Sequence, residues 1–294
     1  MRTEALNFPK SILIETTNIC QGECKFCPYK EIRKDEKITL LDFQKYKEMI
    51  QEISNYDVKR LTLFNNNEPL LDKRIYDFIK YAKENLNNIE LTLSTNGRLL
   101  TKEILYKLKE SGLTYLYVSI PTTNEENYTK IMGNKLEKIL SILLETKDLD
   151  LIKMIRIAVP KTKYYDYQEM KETLGKYQIC TWDLEYKENW NLSETFEEIT
   201  AQLEYTGPCD RPLDQMVISS NGNAIICCRD WRYENVIGNV YQNTLLEIWH
   251  SEKMKEIQKL ISEQDYENIS CCKDCNMNIT FYQNKIKRRI YEKK

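Results

Sequence analysis

Between residues 11 and 186 the chain alternates six short apolar runs with segments of helical period, an order that points to repeated βα units around a parallel sheet. The candidate strands are residues 12–14, 60–64, 90–93, 115–120, 154–159 and 179–184. Between them, Ile75, Phe78, Ile79 and Ala82 fall on one helical face, and residues 41–53 behave similarly. Six such units make a partial or full barrel, whose active-site residues are expected just after the strand C-termini. A polar, acidic stretch over residues 187–208 reads as a bridge. Beyond it the character changes: residues 215–227 read as two strands about a Ser220-Asn221-Gly222-Asn223 turn, and residues 245–261 have helical spacing. A basic tail carries Lys285, Lys287, Arg288 and Arg289. The expected organisation is a barrel over residues 1–186, a bridge over 187–208 and a second unit over 209–294.

The start of the chain shows no basic stretch leading into an apolar run, and no window approaches about 18 uninterrupted apolar residues. A cytoplasmic protein with no membrane span is therefore expected, and its ten cysteines read as metal-binding or catalytic rather than disulfide-bonded. A net charge of -2 provides no global basic surface, so nucleic acid is not an expected partner. His250 is the only histidine, which argues against a histidine base and against hydrolase chemistry. The cysteines fall into two groups, with Cys180 alone between them and read as core. Cys20, Cys24 and Cys27 form a C-x3-C-x2-C run just after the first strand. Three thiolates at this spacing can hold three corners of an iron-sulfur cube and leave the fourth iron open. Zinc is the alternative, but structural zinc sites close four ligands and no fourth Cys or His lies near Cys27.

This triad, with the aromatic Phe26 before its third cysteine, resembles the cluster motif of the radical S-adenosylmethionine (SAM) enzymes. The resemblance implies an α/β fold, a partial (β/α)6 TIM-like barrel, with a 4Fe-4S cluster on Cys20, Cys24 and Cys27. It also implies SAM bound to the open iron, cleaved by one electron to methionine and a 5'-deoxyadenosyl radical that abstracts hydrogen. Phe64-Asn65-Asn66-Asn67-Glu68-Pro69 stands where the family typically has Gly-Gly-Glu-Pro against the SAM ammonium, and Glu68 supplies the matching acceptor. Asn66 and Asn67 replace the glycines, and asparagine is among the residues that best tolerate positive φ. An Asn-rich turn with a surface Glu is the alternative. Thr95, within Ser94-Thr95-Asn96-Gly97, and Ser119, before Ile120-Pro121, resemble positions that line the SAM pocket and bond its ribose or carboxylate. Arg156 either pairs the SAM carboxylate or forms an ordinary surface salt bridge.

The second cysteine group, with Gly222, Ile237-Gly-Asn-Val240 and Glu247-Ile-Trp-His-Ser251, resembles the C-terminal SPASM or shorter twitch extension of those enzymes. Because no cysteine follows Cys275, the resemblance implies one auxiliary 4Fe-4S cluster on Cys209, Cys227, Cys272 and Cys275, with a zinc ribbon as the alternative. The doublets Cys227-Cys228 and Cys271-Cys272 leave the register open by one residue. If Cys227 ligates, Cys228 is a spare thiol; related epimerases use such a cysteine to hand a hydrogen atom to the substrate radical. A buried structural cysteine is the other reading. The implied activity is oxidoreduction at an unactivated C-H bond of a small polar metabolite (aminoglycoside or sugar) or a peptide, giving epimerisation or dehydrogenation. An electron donor such as flavodoxin or ferredoxin is implied as partner. A peptide maturase forming a cross-link, and a non-catalytic iron-sulfur or zinc protein, are the competing readings. Only nineteen residues precede Cys20, whereas many peptide-modifying relatives carry a recognition domain there, which favours a small molecule or a short peptide.

Overall fold

The computed structural model describes residues 4–33, 35–147, 150–161, 166–183, 209–273 and 275; the expected bridge and the basic tail lie outside them. Its centre is a nine-stranded sheet in the order β6-β5-β4-β3-β2-β1-β7-β8-β9. Strands β1 (Ser11–Ile14), β2 (Arg60–Thr62), β3 (Glu90–Thr95), β4 (Tyr115–Ser119), β5 (Ile155–Lys161) and β6 (Gln178–Asp183) run parallel, each beside its predecessor. The sheet is open, the partial form of the expected barrel.

The intervening helices begin where a side chain can accept an otherwise unpaired backbone N–H. Asp42 accepts from Lys45 ahead of helix Phe43–Ile53, Thr101 from Ile104 ahead of Lys102–Glu110, and Asn124 from Asn127 ahead of Glu125–Met132. Helix Ile75–Asn85 buries Ile75, Phe78, Ile79 and Ala82, the face that the spacing picks out. Burying each such large side chain contributes about 1.5–3 kcal/mol.

Side-chain alternation along the strands creates the site. Ile12, Leu61, Leu93, Leu116, Val118 and Ile157 are almost wholly buried in the core. The alternate residues Leu13, Thr62, Ser94, Tyr117, Ser119 and Ala158 line a cavity instead. Smaller and more polar residues on that face leave room for a ligand.

The C-terminal segment joins the same sheet. Strand β7 (Gln215–Ile218) pairs in parallel with β1, placing Leu13 opposite Val217, and β8 (Asn223–Ile225) and β9 (Val236–Asn239) follow antiparallel. Gly222 turns between β7 and β8 at φ +85°, and a Cβ there would stand 2.5 Å from the Tyr241 ring. The apolar spacing predicts one helix over residues 245–261; the structure has two, Leu245–Trp249 and Glu252–Ser262. Ser251 makes the break by accepting the Met254 N–H as a new N-cap. Side chains also tie this segment to the barrel: Glu52 accepts the Leu245 and Leu246 N–H groups at 2.9 and 2.8 Å, and Trp249 Nε1 donates to the Leu6 carbonyl at 2.7 Å. Among the described residues no helix is long and apolar enough to cross a membrane.

Candidate active site

Cys20, Cys24 and Cys27 are half-buried and face one cavity of about 460 Å³. Their loop is held on several sides. The Tyr29 hydroxyl accepts the Cys20 N–H at 2.9 Å and donates to the Asn18 carbonyl at 2.6 Å. Lys25 N–H bonds to the Ile131 carbonyl at 2.8 Å. The Arg98 guanidinium donates to the carbonyls of Gln21 at 3.0 Å and Met132 at 2.8 Å. Nothing in the sequence pattern singles out Arg98 or Tyr29, because their roles arise only when the turn after β3 and the helix after Cys27 fold against the triad loop.

Burial pushes the Cys20 thiol up, lifts Cys24 to about 12 and drives Cys27 up as well, while Arg98 pulls the first two weakly the other way. A bound cation reverses this, since a coordinating thiol is deprotonated outright. A Cβ on Gly22 would stand 3.2 Å from Cys20 Sγ and 3.7 Å from Cys24 Sγ, so the bare glycine gives these sulfurs their clearance. Among the described residues no three His, Cys, Asp or Glu side chains close around a single-ion position. The three thiols instead share the wall of a cavity, and soft thiolate donors spread over a wall fit three corners of an iron-sulfur cube.

Glu68 follows β2 and is 1% exposed. Its carboxylate accepts from Thr95 Oγ1 and from Asn96 N–H, both at 2.8 Å, and from Leu70 N–H at 3.2 Å. Burial nevertheless outweighs these bonds and raises its pKa to about 7. The Thr95 hydroxyl is thus engaged with Glu68. Ser119 and Phe26 both line the cavity. Two expectations are corrected. Asn66 and Asn67 do not take positive φ, which among the described non-glycine residues occurs only at Asn88, Tyr233 and Gln264. Their backbone is set otherwise: Asn66 N–H donates to the buried Glu15 carboxylate at 2.8 Å, and Glu68 N–H to the Ile19 carbonyl at 2.8 Å. Arg156 sits at the start of β5, stacked 4.1 Å over the Tyr115 ring and donating to the Lys153 carbonyl, and it does not line the cavity.

The C-terminal cysteines differ in burial. Cys227, Cys271, Cys272 and Cys275 are buried and Cys209 is half-buried. The Cys209 thiol is pushed up to about 12, first by burial and then by Cys227. Arg229 binds this group twice, through its N–H to Cys227 Sγ at 3.3 Å and its Nη1 to Cys275 Sγ at 3.5 Å. Cys271 and Cys272 lie together, their sulfurs 3.8 Å apart. Cys228 touches the group and the cavity at once: its thiol interacts with that of Cys227, and it lines the cavity with Trp231, with Arg211 Nη1 3.5 Å from its sulfur.

The Glu15 carboxylate also accepts the Tyr233 hydroxyl at 2.6 Å, so one buried group joins β1, the loop after β2 and the C-terminal segment. Arg33 completes this junction, 4.2 Å from the Tyr233 ring and with its Nη1 3.9 Å from Glu15.

Comparison with known proteins agrees with this geometry. The model of the radical SAM superfamily matches residues 14–174, and that of an iron-sulfur cluster-binding domain, SPASM, matches residues 209–276. The chain is 23% identical over 266 residues to the S-adenosyl-L-methionine-dependent 2-deoxy-scyllo-inosamine dehydrogenase of Niallia circulans, covering 90% of this chain and 92% of that one. It is 28% identical over 184 residues to the GTP 3',8-cyclase of Aliarcobacter butzleri, covering 62% of this chain and 56% of that one. In fold it is similar to BtrN in complex with AdoMet and 2-DOIA, with a TM-score of 0.67, 20% identity and coverage of 93% and 94%. Streptococcus suis SuiB bound to S-adenosylmethionine superposes with a TM-score of 0.70 at 16% identity, over 87% of this chain and 68% of that one. With an open parallel sheet, three cysteines after its first strand and a family match spanning more than half its length, the chain belongs to the radical SAM superfamily.

Proposed function

We propose that this radical SAM protein is an oxidoreductase that takes hydrogen from an unactivated C-H bond of a small polar metabolite, an aminoglycoside or sugar, and completes either an epimerisation or a dehydrogenation. The observation that carries the reading is that the Cys228 thiol lines the same cavity as the Cys20, Cys24 and Cys27 thiols. The near full-length similarity to an inosamine dehydrogenase supports a small substrate. When bound, SAM on a reduced 4Fe-4S cluster supplies a carbon radical able to abstract such a hydrogen.

The chain's residues orient and complete that chemistry. Glu68 accepts from the SAM ammonium, Thr95 and the Asn96 N–H hold Glu68 in place, Ser119 meets the ribose or carboxylate, and Phe26 walls the triad loop. In an epimerisation Cys228 gives its S-H hydrogen to the substrate radical from the other side, and the sulfur radical left behind regains one electron and one proton. In a dehydrogenation the substrate radical instead loses one electron and one proton. An auxiliary 4Fe-4S cluster, which Cys209, Cys227, Cys272 and Cys275 would hold, would supply the electron in the first case and take it up in the second; it would make two clusters in all, with an external donor such as flavodoxin or ferredoxin as the source of reducing electrons. The domain boundaries at residues 186 and 209 belong to this proposal.

Anaerobic reconstitution with iron, sulfide, SAM and reductant tests the reading. An assembled, reduced protein should release 5'-deoxyadenosine, and failure to do so would sink it. With a substrate in deuterated solvent, solvent deuterium in the product indicates epimerisation and its absence dehydrogenation, with solvent exchange controlled separately. A Cys228→Ala variant that keeps both clusters and forms product unchanged removes the donor role.

A further inference from the structure

Arg229 is 8% exposed and meets sulfur twice. Its N–H donates to Cys227 Sγ at 3.3 Å and its Nη1 to Cys275 Sγ at 3.5 Å. Arginine is almost never buried unless paired, and among its partners here is a proposed ligand of the auxiliary cluster. The turn after β8 brings these contacts about. Asp230 N–H donates to the Cys227 carbonyl at 3.1 Å, and the Asp230 carboxylate accepts from Glu234 N–H at 3.0 Å and Asn235 N–H at 2.8 Å. Arg229 does not line the cavity, so its effect runs through the sulfurs and not through a contact with substrate.

A second arginine bears on the same group. The Cys228 thiol and burial raise Cys227, while Arg211 and the Arg229 N–H work the other way. Burial and Cys227 raise Cys209, again against the N–H and charge of Arg211. Adding an electron to a cube held by four thiolates adds one negative charge. Burial opposes that charge, because a low-dielectric interior solvates it poorly, whereas a nearby cation and N–H···S bonds favour it. Donors that favour negative sulfur here therefore also favour the reduced cluster.

Resting on the auxiliary cluster proposed above, we infer that Arg229 is a positioning residue that acts through Cys227 and Cys275 to raise the reduction potential of that cluster. The cluster then takes up one electron, with no bond made or broken, more readily than its burial alone allows. The electron comes from the external donor in an epimerisation and from the substrate radical in a dehydrogenation. In either case it is held beside the Cys228 thiol, which contacts Cys227 and lines the cavity.

The test uses the full chain with Cys20, Cys24 and Cys27 replaced by Ala, reconstituted anaerobically with iron and sulfide, so that only the auxiliary cluster is loaded. Its reduction is followed by electron paramagnetic resonance in a titration against redox dyes. At a fixed applied potential Arg229→Gln should lower the reduced-to-oxidised ratio about tenfold, equivalent to about 59 mV for one electron. That variant keeps the backbone N–H and loses only the guanidinium. Arg229→Lys, which keeps the charge, should lower the ratio about threefold or less. Iron should stay at about four per chain in the parent and both variants. A Gln variant within about threefold of the parent, a raised potential in either variant, or a Lys variant no better than Gln overturns the inference. Loss of the cluster from either variant also overturns it, since Arg229 would then belong to the framework of the site. A parent without iron removes the auxiliary cluster and this inference together. Iron content and potential are read separately, so failure of the cluster is distinguishable from failure of the role given to Arg229.

Discussion

The two cysteine groups use the same side chain in opposite settings. Cys20, Cys24 and Cys27 stand half-buried on the wall of a cavity, whereas Cys227, Cys272 and Cys275 are buried in the C-terminal segment with Arg229 against two of their sulfurs. Burial raises thiols in both groups, to about 12 at Cys24 and at Cys209. What differs is access. A metal group on an open wall can bind a reactant directly, while one enclosed by its ligands can exchange only electrons and is tuned by hydrogen bonds to its sulfurs. Cys228 stands at the boundary, beside a ligand candidate in sequence yet on the open wall in space.

The largest expected effect breaks the open side. Cys24→Ala should reduce 5'-deoxyadenosine release to background and lower bound iron from about eight to about four per chain, with the remaining cluster signal intact. Iron analysis and product chromatography check both parts. Retained release would show that the triad is not the reactive site.

Breaking the enclosed side should have a different signature. Because Cys271 lies beside Cys272, both are replaced: Cys271→Ala/Cys272→Ala should also lose about half the iron, yet release 5'-deoxyadenosine within about tenfold of the parent while forming no final product. Loss of both activities together would mean that the two groups do not divide the work. Both variants should be compared by circular dichroism, since β7 to β9 are part of the sheet and damage there can spread.

The sequence makes the barrel half of this comparison legible because its signals are local. Alternating apolar runs define strands, and the triad, Glu68, Thr95 and Ser119 each follow or end one, so order along the chain becomes proximity in space. The junction is not local. The pairing of β7 with β1 and the contact of Tyr233 with Glu15, 218 residues apart, leave no periodic trace. The break at Ser251 is not local either: apolar spacing continues across it, and a serine's capping role depends on the fold around it. Cys227 and Cys228 are interchangeable as letters, and only the path of the chain after β8 buries the first while leaving the second, in contact with it, on the cavity wall.

A smaller effect is expected at Glu68, which serves the open side alone. Its pKa is raised from 4.5 to about 7, so the native ligand-free protein holds a proton that the unfolded chain releases within that window. The stability of that form therefore falls as pH rises from about 4.5 to 7, by up to about 3 kcal/mol for a shift of this size. Binding a SAM ammonium favours the ionised carboxylate, so SAM affinity should rise across pH 7. Glu68→Gln should weaken SAM binding about tenfold or more at pH 8 and flatten its pH profile. An unchanged profile in the variant would remove Glu68 from the SAM site.

The smallest expected effect comes from Thr95→Val, which keeps the shape of the side chain and removes one donor to Glu68. The Thr95 Oγ1 bond at 2.8 Å is one of three that the carboxylate accepts, and the Asn96 and Leu70 N–H groups remain in the variant. Loss of a hydrogen bond to a charged acceptor costs about 1.5–3 kcal/mol when the acceptor is ionised and less when it is protonated. The penalty should therefore appear above pH 7, as SAM binding weakened by less than in Glu68→Gln, and shrink toward pH 6. In the variant the midpoint of the affinity profile should move to higher pH, because the ionised form of Glu68 has lost one of its supports. A uniform loss at every pH would instead mean that the Thr95 hydroxyl meets SAM directly, and no loss would mean that two N–H groups suffice to hold Glu68.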